Sequence, residues 1–529
     1  MQELIERAIL RKAKALLRKH RLDVQRSQSY AQRFSTRTGL AAGAPNIAEP
    51  VAWSYHAHFN PRHCIKNAKY ISRRIWQKIQ SGEYEPVPAI LSEIPKPDGK
   101  MRKIMAFAIP DSALANVLHR NITRRNANVF SSYSFAYRDD KTVFDAVLHL
   151  RRSLGGPKSY IIQYDFSSYF DKIEHAFLEK LLFNRKLFLL STAEGIAIKA
   201  FLKHRFAPNA IYTNNTFERR DVGVPQGSSI SLFLANAAAH DLDLSLERIN
   251  GVFTRFADDV VAITRSYSDA MKIASEFRDH CKDAGLAINY EKSPGIQLFV
   301  GGPDRENRQF TIDDDDGSLV TSISHIDYIG HRITAPHKGG ALVISMPDKA
   351  VSRIKRRVSR ILDIHLFQHR RLDTSAVDSS RFGPGFMDWD LVTAVNELRK
   401  YIYGGLSDAE LRSFLAGGSR LRRIRGLMGF LPLISDIDQL AELDGWLVSA
   451  FRRAQRERMR MAAVRGLRVV KPREAILIDG SWYSFPNLAQ DTRLPSFVLA
   501  WRASKKFSRR YGLARIGTAT YYSRMTGYI

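Results

Sequence analysis

Cysteine is almost absent from this 529-residue chain, which has only Cys64 and Cys281. Two cysteines are too few for a disulfide framework or a cysteine-rich zinc site, and they suit a reducing compartment. The chain also lacks any apolar run of the roughly 20 residues that a membrane-spanning helix needs. Its N-terminus is charged from Glu3 onward, unlike a secretory signal. We therefore expect a cytoplasmic protein with no membrane partner.

Acidic residues are scarce relative to basic ones, and the difference is unevenly distributed. The chain has 81 Lys and Arg against 53 Asp and Glu, a net charge of +28. Residues 1–80 carry 16 basic and 4 acidic side chains, residues 338–529 carry 34 and 17, and residues 81–337 carry 31 and 32. An excess of this size predicts a polyanionic partner, nucleic acid first, because a cationic surface attracts phosphates and releases their counterions.

The sequence pattern divides the chain at the same two points. Residues 1–80 have the periodicity of helices, and residues 81–337 mix short β-rich runs with helices. From about residue 347 onward, apolar residues recur every three or four positions, as in helices. We therefore predict an α+β fold, with a basic helical N-terminal extension (1–80), a central domain (81–337) and a basic helical C-terminal domain (338–529).

Two acidic elements in the central region predict an active site. The segment IIQYDFSSYFDKIEH at 161–175 has a buried-strand pattern that ends at Asp165. The segment GVFTRFADDVVAIT at 251–264 is two apolar strands joined by a tight turn that carries Asp258 and Asp259. An isolated pair of aspartates in a turn is usually only a polar turn. Three carboxylates at strand ends are, however, what two divalent cations require for in-line phosphoryl transfer.

A loop between these elements completes the pattern. In DVGVPQGSSISLFLANAAAHDLD at 221–243, Gly223, Pro225 and Gly227 predict a turn that leads into an Ala-rich helix. Small residues there allow a flat group to approach the backbone. The order of the three elements is typical of nucleotide polymerases.

These segments resemble those of prokaryotic reverse transcriptases, the group that holds group II intron, retron and defence-associated enzymes. The resemblance covers roughly residues 85–335 and includes IPKPDGKMRK (94–103), SYSFAYRDDKTVFDAV (132–147), DFSSYFD (165–171), GVPQGSSIS (223–231), RFADD (255–259), AGLAINYEKS (284–293) and YIGHRI (328–333). It implies a right-hand polymerase with fingers, palm and helical thumb. It also implies two Mg²⁺ ions, or Mn²⁺ in their place, at the palm.

The resemblance implies roles for ten residues of this chain. The metal ligands are Asp165, Asp258, Asp259 and the backbone carbonyl of Phe166, and the Lys292 ammonium is the proton donor to the leaving pyrophosphate. The nucleotide-binding residues are Lys96, Arg102, Phe166, Phe170, Gln226 and Gly227.

The resemblance implies that one aromatic residue selects the sugar of the incoming nucleotide. Phe170 falls where the family places the ring that occupies the space of a ribose 2′-hydroxyl, so dNTPs are the expected substrates. The neighbouring Asp171 is most simply predicted to cap or solvate its helix. Viral RNA polymerases also place an acidic residue near that position to contact the 2′-hydroxyl, so Asp171 alone does not exclude an enzyme that makes RNA.

Three functional hypotheses follow. The first is an RNA-directed DNA polymerase that copies a bound non-coding RNA into DNA. Since no cysteine-rich nuclease region of the intron-encoded kind is present, the architecture is most like that of bacterial anti-phage defence enzymes. The second is template-independent or protein-primed DNA synthesis, with Tyr521, Tyr522, Tyr528 or a serine supplying the priming hydroxyl. The third is an RNA-binding scaffold with a relict palm. The helical flanks are equally suited to self-assembly.

Overall fold

The fold is known from a computed structural model of the chain. It describes residues 1–38, 46–95, 101–155, 158–301, 306–312, 318–335, 340–367, 382–383, 387–464, 466 and 493–516. The chain forms two compact units. The first comprises Met1–Lys141, Leu148–Phe299 and Asn307–Ser322, and the second comprises Thr142–Val147, Val300–Glu306 and Ile323–Ile529. None of the helices within the described ranges combines the length and apolar character needed to cross a membrane.

A group of helices opens the first unit: α1 (Gln2–Thr38), α2 (Ala52–Tyr55), α3 (Pro61–Lys66), α4 (Ala68–Gln80) and, further on, α5 (Ile109–Arg125). Ile5, Ile9, Ala13 and Leu17 recur every four residues of α1, so they form one apolar stripe, and all four are buried. This stripe packs against α3, α4 and α5. Exposed basic side chains of α1, among them Arg11, Lys14 and Arg18, lie outside this stripe.

Two sheets follow in the first unit. The smaller has the strand order β2-β1-β4-β5, from β1 (Ala89–Pro95), β2 (Met101–Ala106), β4 (Arg205–Pro208) and β5 (Glu218–Arg219). The larger has the order β6-β7-β3-β8-β10-β9, from β3 (Ser159–Tyr164), β6 (Gly251–Phe256), β7 (Asp259–Thr264), β8 (Gly295–Phe299), β9 (Gln309–Thr311) and β10 (Leu319–Ile323). β3 pairs with β7 and β8 on its two sides and is therefore a central strand, in which every residue but Gln163 is buried.

Further helices accompany the larger sheet: α7 (Tyr169–Lys172), α8 (His175–Glu179), α9 (Thr192–Leu202), α10 (Ile230–Ala238), α11 (His240–Glu247) and α12 (Tyr267–Ala284). Local sequence sets several of their ends. Ser191 and Glu194 form a capping box on α9, and the Ser266 hydroxyl accepts a hydrogen bond from the Asp269 amide at the start of α12. α12 ends at Ala284, and the next residue, Gly285, has a φ of +68° that suits glycine. α6 (Val143–Ser153) includes residues of both units.

The second unit is mainly helical, with α13 (Asp348–Phe367), α14 (Trp389–Tyr403), α15 (Asp408–Ala416), α16 (Ile437–Val464) and α17 (Phe497–Tyr511). It also has a three-stranded sheet of β11 (His325–Tyr328), β12 (His331–Thr334) and β13 (Val343–Ser345), and a short pair, β14 (Phe382–Gly383) and β15 (Met387–Asp388). The buried Arg458 of α16 donates to Asp388 and Asp390, which ties α16 to the start of α14. Helices and sheets together confirm the predicted α+β fold. The three predicted domain ranges stay a prediction.

Asp111, at the start of α5, gives the first unit a pH-dependent stability. The carboxyl group is buried and accepts hydrogen bonds from the Tyr84 hydroxyl at 2.8 Å and the Val87 amide at 3.1 Å. Burial outweighs these hydrogen bonds and raises the pKa of Asp111 to about 7. Since the pKa is about 4 in the unfolded chain, unfolding costs less free energy as the pH rises from about 4 to about 7.

We expect Asp111→Asn to lose this dependence, because an amide does not ionise. Between pH 5 and pH 8, the free energy of unfolding of the wild type should fall by about 2 kcal/mol relative to that of the variant. Denaturant unfolding at the two pH values measures this difference. An equal change in both proteins would contradict the assignment. The exposed Asp279→Asn is the matched control.

Candidate active site

Asp165 directly follows β3 and is fixed by the segment that leads into β8. Its amide donates to the Ser293 hydroxyl at 3.1 Å, and its carbonyl accepts from the Asn289 amide at 2.8 Å. The next residue, Phe166, is buried and lies opposite Ile288 in an antiparallel bridge. The backbone at Asp165 is therefore fixed on two sides, as a metal-binding position requires.

Asp258 and Asp259 lie at the tip of the β6–β7 hairpin. Phe256 pairs with Asp259, so the turn consists of two residues, Ala257 and Asp258. Ala257 has a φ of +62°, a conformation that costs free energy in any residue other than glycine. β7 also pairs with β3, with Tyr164 opposite Val260. This register brings the hairpin tip next to Asp165, so the three predicted carboxylates lie at one edge of the sheet.

The three carboxylates interact electrostatically. Asp258 and Asp259 keep some exposed surface but lie deep among surrounding protein atoms. Burial, followed by the negative charge of Asp165, raises the pKa of Asp258 to about 6. Burial and then the charges of Asp258 and Asp165 raise the pKa of Asp259 to about 8. Without a neutralising cation, these carboxylates cannot all be ionised at low cost.

Lys292 supplies one positive charge to this cluster. Its ammonium group donates to Asp165 Oδ2 at 2.8 Å, and the Asn289 side-chain amide donates to the same oxygen at 3.1 Å. Burial opposes the charge of Lys292, but the hydrogen bond and the nearby aspartates outweigh it and raise the pKa. Lys292 therefore remains protonated beside Asp165, as a proton donor must be.

The residues present fit divalent cations by their chemistry. Three carboxylates give an oxygen-only donor set, which Mg²⁺ and Mn²⁺ prefer, and a cation would relieve the repulsion that adds to burial in raising the pKa values of Asp258 and Asp259. Within the described ranges, however, no three His, Cys, Asp or Glu side chains are gathered closely enough to hold a metal ion as they stand.

The predicted nucleotide-binding residues lie on β2, α7 and the loop before α10. Arg102 on β2 is close enough to Asp258 for its positive charge to offset part of the rise in the pKa of that carboxyl group. Phe170 on α7 is half-buried, and its ring meets that of Tyr137 edge to face with centroids 6.4 Å apart. Gln226 and Gly227 follow a buried stretch of the loop. Lys96 lies outside the described residues, and so do the candidate priming tyrosines Tyr521, Tyr522 and Tyr528.

Positive φ values at residues other than glycine mark this region. Ala257 is one of them, and Tyr137 and Ser168 have φ values of +60° and +53°. Tyr137 contacts Phe170, and Ser168 lies between Asp165 and Phe170 in the chain. Strained backbone of this kind persists only where surrounding contacts impose it, and it is common at active sites. The sequence carries no signal for it, because none of the three residues is Gly, Asn or Asp.

Arg255 lies next to the site and was given no role by the sequence pattern. It is fully buried in β6, where its guanidinium donates to both carboxylate oxygens of Asp243, at 2.7 and 2.6 Å. It also donates to Asn236 Oδ1, the Ser134 hydroxyl and the carbonyl of Ala257. Arg255 thus holds the turn that carries Asp258. An arginine within an otherwise apolar strand was the available signal.

A basic groove lies between α1 and α5 in the same unit. It has a volume of about 400 Å³ and is lined by Leu4, Arg7, Arg11, Asn116, Val117, Arg120, Asn121 and Arg124. Arg7 pairs with the exposed Glu3 at 3.7 Å. Among the residues that the structure describes, Arg11, Arg120 and Arg124 have no carboxylate partner. Four arginines and two asparagines make a lining suited to phosphates.

Comparison with known proteins agrees with this geometry. Residues 94–333 match the family model described as reverse transcriptase (RNA-dependent DNA polymerase). The chain therefore contains a reverse transcriptase domain, and the larger sheet with its two acidic elements is the palm of that domain. The family resemblance of the motifs is confirmed at this level.

Individual relatives match over shorter stretches. Protein YkfC of Escherichia coli is 27% identical over 170 residues, 31% of this chain and 42% of YkfC. Group II intron-encoded protein LtrA of Lactococcus lactis is 27% identical over 184 residues, 35% of this chain and 29% of LtrA. The chain thus matches less than half the length of either relative.

Solved structures with detectable similarity include a Candida albicans telomerase in complex with a fragment of telomeric RNA. It is 12% identical, the match covers 74% of this chain and 68% of that chain, and the TM-score is 0.39. An apo telomerase from Candida tropicalis is 14% identical over 54% of this chain and 60% of its own, with a TM-score of 0.37.

Proposed function

We propose that the protein is an RNA-directed DNA polymerase that copies a bound RNA into DNA. The observation that carries this proposal is the meeting of Asp165, Asp258 and Asp259 at one edge of the palm sheet, where burial and the neighbouring carboxylate charges raise the pKa values of Asp258 and Asp259. A cluster of repelling carboxylates is unfavourable for folding alone and is accounted for by a bound cation. Its position within the reverse transcriptase domain assigns the chemistry to nucleotidyl transfer.

Each site residue of this chain has a separate role in the proposed nucleotidyl transfer. Asp165, Asp258, Asp259 and the carbonyl of Phe166 would hold two divalent cations, which would supply activation of the primer 3′-hydroxyl and stabilisation of the leaving pyrophosphate. Arg102 and Lys96 bind the triphosphate, Gln226 and Gly227 lie against the nucleotide, and Lys292 donates a proton to the departing pyrophosphate. Phe170 excludes the ribose 2′-hydroxyl.

Primer extension tests the proposal directly. Purified protein receives an RNA template with an annealed DNA primer, Mg²⁺, and either dNTPs or rNTPs. We expect extension with dNTPs and none after EDTA is added. No incorporation on RNA or DNA templates would overturn the proposal. DNA that remains attached to protein after RNase treatment and boiling in detergent would indicate protein-primed synthesis instead.

The basic groove is the proposed RNA surface in this unit. Arginines from α1 and α5 face one another there, and phosphates are the ligands that such a lining recognises. An RNA strand in the groove would neutralise up to four arginines, so its affinity should fall steeply with salt.

We expect the charge reversal Arg120→Glu with Arg124→Glu to weaken RNA binding about tenfold or more at moderate salt. The slope of log affinity against log salt should fall by about 1.4, because each phosphate contact contributes about 0.7 on single strands. Filter binding without nucleotides measures both. The control is Lys272→Glu with Arg278→Glu, which makes the same change of charge at exposed positions of α12. An equal loss in both variants would show a nonspecific charge effect.

We further propose that the bound RNA is a non-coding RNA and that the activity serves bacterial anti-phage defence. Basic flanks on either side of a neutral palm region support an RNA that stays bound. Sequencing the nucleic acid that co-purifies with the protein, with and without dNTPs, identifies template and product together. A random sample of cellular RNA would contradict a dedicated template, and unaltered phage plating on cells that lack the protein would contradict the defence role.

A further inference from the structure

Asp171 does not act as a simple helix cap or solvated residue, as its position in the sequence suggested. α7 begins after Ser168 without any side-chain cap. The Asp171 carboxylate is half-buried and accepts a hydrogen bond from the Gln226 side-chain amide at 2.8 Å. The buried Arg220 guanidinium lies 3.8 Å from its other oxygen. Asp171 is therefore part of a contact between α7 and the loop before α10.

This contact fixes the orientation of the Gln226 amide. A carboxylate can only accept hydrogen bonds, so the NH₂ group of Gln226 must face Asp171 and its amide oxygen must face elsewhere. The backbone on either side is equally constrained. The Val224 amide donates to the carbonyl of Phe170 at 2.6 Å, and an added Cβ at Gly223 would lie 2.6 Å from the Asp171 carbonyl. These contacts thus hold the loop against the residue pair Phe170–Asp171.

Gln226 also joins the loop before α10 to strand β2. The backbone carbonyl of Gln226 accepts a hydrogen bond from the backbone amide of Met105 at 2.7 Å. Gly227 has a φ of +111°, and an added Cβ there would lie 2.5 Å from the Met105 carbonyl. Since β2 also carries Arg102, a chain of direct contacts runs from the triphosphate-binding strand through Gln226 to Asp171, next to Phe170.

We propose that Asp171 is a positioning residue for sugar selection, which acts through Gln226 and holds the Phe170 ring at a fixed distance from the nucleotide. This inference rests on the proposed polymerase function. Loss of the Asp171 carboxylate frees the Gln226 amide and loosens the link between the loop and α7. The Phe170 ring then excludes the 2′-hydroxyl less well, while the metal ligands are untouched.

The test is steady-state kinetics with one dNTP and its matching rNTP. For Asp171→Ala we expect the preference for dNTP over rNTP to fall about tenfold or more, the loss that one hydrogen bond to a charged group accounts for. The KM for dNTP should rise while kcat changes little. Lys172→Ala, on an exposed neighbour in the same helix, should leave both parameters near wild type.

A reciprocal exchange separates positioning from general damage. Gln226→Glu alone places two carboxylates in contact and should reduce selectivity most. Adding Asp171→Asn places the amide donor at position 171 and leaves the carboxylate acceptor at position 226. The hydrogen bond can then form in the reverse direction, and selectivity should recover in part. Unchanged discrimination in Asp171→Ala, or no recovery in the double variant, would overturn the inference while leaving the polymerase intact. A wild-type protein that incorporates no nucleotide would instead overturn the proposed function, and this inference with it.

Discussion

Asp258→Asn is expected to abolish nucleotide incorporation and, in metal-free buffer, to stabilise the fold. The amide keeps the shape of the side chain, so the β6–β7 turn should form as before. It lacks the charge that a divalent cation requires, and metal ions contribute several kcal/mol to transition states of this kind. We therefore expect a loss of at least about 10³-fold in rate.

The expected stabilisation has a separate cause. Asp258 is held close to Asp165 and Asp259, and burial and charge repulsion raise its pKa to about 6. Removing one charge from such a cluster relieves repulsion, which should raise the free energy of unfolding in EDTA by about 1 to 2 kcal/mol. Most substitutions destabilise a protein, so a gain in stability together with loss of activity is a specific signature of a ligand cluster.

Primer extension and denaturant unfolding in EDTA measure the two effects. Asp279→Asn removes one exposed carboxylate from α12 and should change neither. Retention of synthesis by Asp258→Asn would remove Asp258 from the active site. Loss of stability in EDTA would show that the carboxylate makes favourable contacts and that repulsion does not dominate. Unchanged biological activity of an inactive variant would favour the scaffold hypothesis.

Local pattern was sufficient to predict the elements that carry chemistry. The apolar run before Asp165 and the hairpin around Asp258 and Asp259 have strand periodicity, and their turn residues lie at the ends. Pairing of β3 with β7 then brings the elements together, because antiparallel register places Tyr164 opposite Val260. Periodicity therefore predicted these parts of the palm and the position of its carboxylates.

Contacts between residues far apart in sequence were not predictable in this way. Asp171 has the composition of an ordinary helix start, and its partner Gln226 lies 55 residues later in a different element. Lys292 was predicted as a proton donor, but its hydrogen bond to Asp165, 127 residues earlier, carries no periodic signal. Such contacts depend on how helices pack on the sheet, which side-chain alternation does not specify.

Arg255→Met is expected to destabilise the first unit by about 3 to 5 kcal/mol, because it leaves Asp243 buried without its partner. Both side chains are fully buried, and the pKa of Asp243 is already raised by its burial. Arg255→Lys should recover little, since an ammonium group cannot donate to both oxygens of Asp243 and also reach Ala257. Denaturant unfolding of the variants measures these differences.

The double variant Arg255→Met with Asp243→Leu separates stability from catalysis. Replacing both members of a buried ion pair by apolar groups of similar size often restores stability, so we expect the double variant to unfold later than Arg255→Met. Its polymerase activity should remain low. The Ala257 carbonyl would still lack its donor at 3.1 Å, and the strained φ of Ala257 would no longer be held. Recovery of full activity with stability would show that Arg255 serves only the fold; recovery of stability alone would show that it positions Asp258.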